Sequence, residues 1–159
     1  IFDGGVWMKR NVMAVCAVMA IILTVGGTVF AHHGSGSAYD YTTKIVAKAT
    51  VTEIVWTNPH AQLFMDIKND KGETTNWGVE LNSPGNLIKL GWSKLTFKPG
   101  EEIVVTFVPS KENRPFGICG DFVKADGKTF HNGQGCGTDI SKLPIKSGYP
   151  PVPGFSDKQ

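Results

Sequence analysis

Only three of the 159 residues are cysteines, too few for a scaffold held together by disulfides. Charge of one sign is also scarce. Sixteen Lys and Arg face fourteen Asp and Glu, a formal net charge of +2, and no basic cluster stands out. A nucleic-acid surface needs such a cluster, so nucleic acid is not an expected partner. Beyond residue 25 no apolar run approaches the roughly 18–20 residues that a membrane helix requires. Catalytic signatures are missing too: no serine elbow, no zinc-protease helix motif, and no Cys–His nucleophile arrangement once the cysteines pair. No internal repeat is visible. An enzyme is therefore not the favoured reading.

What is present begins at the amino-terminal end. Lys9-Arg10 precedes an apolar run over residues 12–25, and Val29-Phe30-Ala31 fits the small-x-small pattern of a cleavage site. This reads as a secretory signal peptide, over residues 8–31 with Met8 as the start. Residues 1–7 read as upstream sequence and are set aside. Cutting after Ala31 would begin the mature chain at His32 and place it in the periplasm or outside the cell. No membrane span would remain. An uncut signal would instead leave a short amino-terminal anchor. Processing removes Lys9, Arg10 and Asp3 and leaves the charge near neutral.

Cys16 lies within the signal. Cys119 and Cys136 remain, about 17 residues apart. Two cysteines in an oxidising compartment pair more often than not, and such a loop would contribute on the order of 3 kcal/mol. The competing reading is a thiolate metal site that includes His131.

Residues 32–43 are small and polar, an extended arm unless something ties it down. Three strands are expected next, at 44–55, 60–68 and 73–81, from β-branched content and period-two alternation. Asn58-Pro59 and Asn69-Asp70-Lys71-Gly72 supply turns. Ser83, Pro84 and Gly91 punctuate one short helix, with Leu87, Ile88 and Leu90 as its apolar face. Trp92 is expected to plug one barrel end. Strands follow at 103–108 and 116–124, with a last extended piece near Thr129. Residues 132–159 form a Gly/Pro-rich extension. Three strands, a helix and two strands match a small five-stranded OB-like Greek-key barrel over residues 44–131. A β-roll or sandwich is the alternative. Fold alone does not give function.

Five linked motifs carry a resemblance: Ala31-His32-His33, Trp56-Thr57-Asn58-Pro59-His60, Trp77-Gly78-Val79-Glu80-Leu81, Ser83-Pro84…Gly91-Trp92 and Pro99-Gly100-Glu101. The chain resembles a domain-of-unknown-function family of small exported proteobacterial proteins. The resemblance implies export and a compact β domain, and no activity.

The sharpest candidate chemistry is metal binding. An amino-terminal His32 offers both its α-amine and its ring, and each is available to a metal near neutral pH. With the ring of His60, these would give copper(II) a three-nitrogen set of the kind called a histidine brace. His33 is a further candidate ligand, and zinc on His32, His33, His60 and a carboxylate is the weaker variant. Asp40, Glu53 or Glu80 could orient a ring from behind. The blander reading makes His32 and His33 a polar start and His60 a turn residue. An alternative function is an interaction module binding a small ligand, a glycan or an exported protein through Trp56, Trp77 and Trp92 on a barrel face. Against it, tryptophans on strands are more often core. Glu53 and Glu80 as a glycosidase pair is the least favoured reading.

Overall fold

β-Branched residues dominate the stretch after residue 44, and the backbone there is extended as that composition demands. In a computed structural model, residues 4–25, 38–112, 114–133 and 139–155 are described. The chain divides into two compact units, Ile1–His33 and Gly34–Gln159. The first contains helix α1 (Gly4–Val25). Among the described residues no helix is long and apolar enough to cross a membrane.

The second unit contains β1 (Ile45–Val55), β2 (Gln62–Lys68), β3 (Thr74–Glu80), helix α2 (Pro84–Lys89), β4 (Glu102–Pro109), β5 (Phe116–Lys124) and β6 (Thr129–His131). The sheet order is β3-β2-β1-β4-β5-β6, and β3 also pairs with β5. That last pairing is parallel, over Gly78↔Phe116 to Glu80↔Ile118, and every other ladder is antiparallel. It closes β1–β5 into a mixed barrel with α2 between β3 and β4, the OB-like arrangement expected from the order of elements.

The period-two pattern fills the interior. Ile45, Ala47, Ala49 and Val51 of β1 meet Leu63, Met65 and Ile67 of β2, Val79 of β3, and Val105 and Phe107 of β4, all at most 5 % exposed. Two bulges bend the wall. One lies in β1 between Val51 and Glu53. The other lies between β4 and β5, where Cys119 takes a positive φ of 63°. Past this second bulge Val108, Ile118 and Cys119 leave the barrel core and form a small cluster with Tyr39. Cys136, the expected partner of Cys119, lies outside the described residues, as do His32 and His33.

The helix differs from expectation in two respects. Ser83 is its N-cap residue and Pro84 opens it, but the Ser83 side chain makes no capping hydrogen bond. Of the three apolar residues only Leu87 is buried; Ile88 and Leu90 are exposed. Six residues make less than two turns, so a single position meets the barrel. Trp92 plugs that end as expected. It is 3 % exposed, stacks edge-on against Phe97, Phe122 and Phe130, and donates its indole N–H to the His131 carbonyl at 2.9 Å.

The carboxyl-terminal extension is packed. The strand-like bridge Lys44↔Ile145 runs parallel to the start of β1. Tyr149 meets the Trp77 ring edge-on, and Val152 is buried.

Candidate functional site

The turn Trp56-Thr57-Asn58-Pro59-His60 delivers one imidazole to the end of the β2–β3 ladder. Asn58–Pro59 is a cis peptide. Ala61 is then locked to the neighbouring chain: its N–H bonds to the Asn82 carbonyl, and its carbonyl receives the Leu81 N–H. His60 is thereby fixed beside the last residue of β3, Glu80. His60 Nδ1 is paired with Glu80 Oε1 in a close contact. Both side chains are part-exposed, His60 at 41 % and Glu80 at 25 %. With Nδ1 engaged by the carboxylate, Nε2 is the ring nitrogen available to an outside group. This is the pattern in which a carboxylate orients a metal-binding or proton-carrying histidine.

A third residue shares that carboxylate. The Tyr39 hydroxyl donates to Glu80 Oε2 at 3.4 Å. Burial first, then the Glu80 charge and this hydrogen bond, push the Tyr39 phenol up to about 12. Tyr39 therefore remains a neutral donor across the physiological range. Its backbone is clamped to the end of β4: it bridges Ser110, the Asp40 N–H bonds to the Pro109 carbonyl, and the Lys111 N–H to that of Ala38. The described end of the arm is thus tied down, the exception that the expectation of an extended arm over residues 32–43 allows for; residues 32–37 lie outside the described residues.

Asn132 supports the same corner from below. It is 2 % exposed. Its side-chain amide donates to the Glu80 carbonyl at 3.1 Å, and its oxygen accepts from the Asn82 N–H at 2.6 Å. Sequence reasoning found neither Tyr39 nor Asn132. An isolated ring in a Gly/Ser segment was the available signal for Tyr39. Asn132 had none, because its side chain bonds to backbone groups some fifty residues away.

Of the three carboxylates expected behind the histidine, Glu80 is the one brought to it. Asp40 instead accepts from the Thr42 hydroxyl and N–H, which hold its carboxyl below the usual range. Glu53 lies exposed on β1, opposite Phe64. The tryptophans do not make an exposed face. Trp77 and Trp92 are buried at 8 % and 3 %, and Trp56 is partly buried against the same core. Their large apolar area is what closes a small barrel. Among the described residues no three His, Cys, Asp or Glu side chains gather as a metal set; His32 and His33 fall outside that group.

The match to known families spans most of this architecture. The chain belongs to a family of unknown function (DUF6152), matched over residues 19–119. Tyr39, His60 and Glu80 lie within the family region, and Asn132 lies beyond it. No curated protein and no solved structure matches the chain.

Proposed function

We propose that this is an exported, non-catalytic binding protein that takes up copper at His60, with a mature amino-terminal His32 as the second residue of the site. In this reading the signal at residues 8–31 is removed after Ala31. Cys119 and Cys136 then pair in the periplasm or outside the cell. The α-amine and ring of His32 join His60 Nε2 as three nitrogen donors, which suits copper(II). Zinc is the weaker alternative, with His33 as a further ligand.

One observation carries the reading: His60 and Tyr39 share the carboxylate of Glu80. The carboxylate engages the ring by its Nδ1, which leaves Nε2 as the nitrogen for a metal. The same carboxylate fastens the arm seven residues after His32.

The test is a copper(II) titration followed by electron paramagnetic resonance, on protein that begins at His32. Tight one-to-one binding with a nitrogen-rich spectrum is expected. It should be lost when one glycine is added before His32, and lost again in His60→Ala. Glu80→Gln should weaken it about 10–100-fold, the usual cost of removing a ligand's supporting carboxylate. Binding that ignores all three changes would overturn the reading.

A further inference from the structure

A second site stands apart from His60, on the outer wall of the barrel. The carboxyl-terminal extension crosses β1, β4 and β5 there and leaves a groove of about 860 Å³, within the range of about 300–1,000 Å³ typical of small-molecule sites. Its apolar wall includes Val46, Val123, Ile145 and Phe155. Its polar groups are few: the Thr106, Thr129 and Ser141 hydroxyls, and the charged side chains of Lys44, Asp121 and Lys142.

The charges in this groove are unevenly matched. Asp121 is paired with His131 at 2.9 Å, and Lys142 with Asp139 at 3.2 Å. Lys44 is only 8 % exposed, yet no carboxylate of the described residues comes within ion-pair distance of it. Its ammonium donates once, to the Ser141 carbonyl at 2.7 Å. An ammonium has three N–H donors, so two remain for another acceptor. Its backbone is bonded to the extension on both sides: its N–H to the Pro144 carbonyl, its carbonyl to the Lys146 N–H. A buried positive charge without a counter-charge is costly to keep. An anion entering the groove would supply that counter-charge.

We propose that this groove binds a single-chain amphiphile with an anionic head, such as a medium-chain carboxylate. The head accepts the two free N–H groups of Lys44, and the chain lies along Val46, Val123, Ile145 and Phe155. Thr106 and Thr129 add hydroxyl donors to the groove wall.

The experiment is calorimetric titration of the full chain with decanoate, decyl phosphate and uncharged decanol. Decanoate should bind one to one and decanol at least tenfold more weakly, since a hydrogen bond to a charged group is worth roughly a factor of ten or more. Lys44→Gln keeps a donor for the Ser141 carbonyl but removes the charge; it should weaken decanoate by a similar factor and leave decanol unchanged. Thr106→Glu, which adds a negative charge to the wall, should abolish decanoate binding. Decyl phosphate distinguishes the head group: binding as tight as decanoate means that charge alone is read, and weaker binding means that a carboxylate is preferred. Equal affinity for decanoate and decanol, or decanoate affinity unchanged in Lys44→Gln, would overturn the proposal.

Discussion

At the scale of single residues, Glu80 decides how the corner around His60 and Tyr39 behaves. It holds a histidine with one oxygen and a tyrosine hydroxyl with the other. The tyrosine makes a pH prediction. Its folded-state pKa of about 12 lies above its ordinary value of 10.0. As pH rises past the unfolded value, the unfolded chain loses this proton first, so the folded state loses ground. The stabilisation is fully present below pH 10 and is lost as pH climbs through about 12. Urea unfolding across that window should show a decline for the native chain that is smaller in Tyr39→Phe. Half of this corner was legible in the sequence. His60 stands out because a rigid Asn-Pro turn precedes it, and Glu80 was one of three carboxylates able to orient its ring. Choosing Glu80 over Asp40 and Glu53 needed the register that places Gln62 opposite Glu80. Pairing across strands is set by tertiary contacts, which local pattern does not contain.

At the scale of elements, punctuation and alternation were reliable, and the faces of short or bulged pieces were not. The strands fall where β-branched alternation places them, and α2 lies between Ser83 and Gly91. Helical period alone put Ile88 and Leu90 on an apolar face, but so short a helix has too little surface to bury them. The bulge at Cys119 was also invisible, since one extra residue reverses which side chains face inward without changing composition. Trp92 shows how one side chain can hold several elements at once. It joins the loop after α2 to Phe97, Phe122 and Phe130, and it satisfies the His131 carbonyl. Trp92→Ala should cost about 3–5 kcal/mol, the usual range for removing a buried tryptophan, read as a lower urea midpoint with little change in slope. Trp56→Ala, at a partly buried position, should cost less.

At the scale of the whole molecule, the OB-like closure followed from the order of elements, while the particular contacts of the extension did not. Pro and Gly in residues 144–154 read as irregular chain, which they are. Nothing local announced that Tyr149 would meet Trp77 or that Ile145 would bridge Lys44. The parallel pairing of β3 with β5 has a kinetic consequence. The β1–β2 and β2–β3 ladders join neighbours in sequence, but the clasp joins Gly78 to Phe116 across the intervening α2 and β4. Loop-closure entropy makes such a contact late to form. A fault centred on the clasp should then act less on the refolding rate than on the rate of opening. Gly78 is the place to introduce it, because a Cβ there would lie 2.5 Å from the Phe116 ring and 2.9 Å from that of Phe64. Overpacking of this kind costs about 1–3 kcal/mol. In stopped-flow kinetics of Gly78→Ala, most of that cost should appear as faster unfolding and the smaller share from Phe64 as slower folding, making the seam the step that sets the lifetime of the closed barrel.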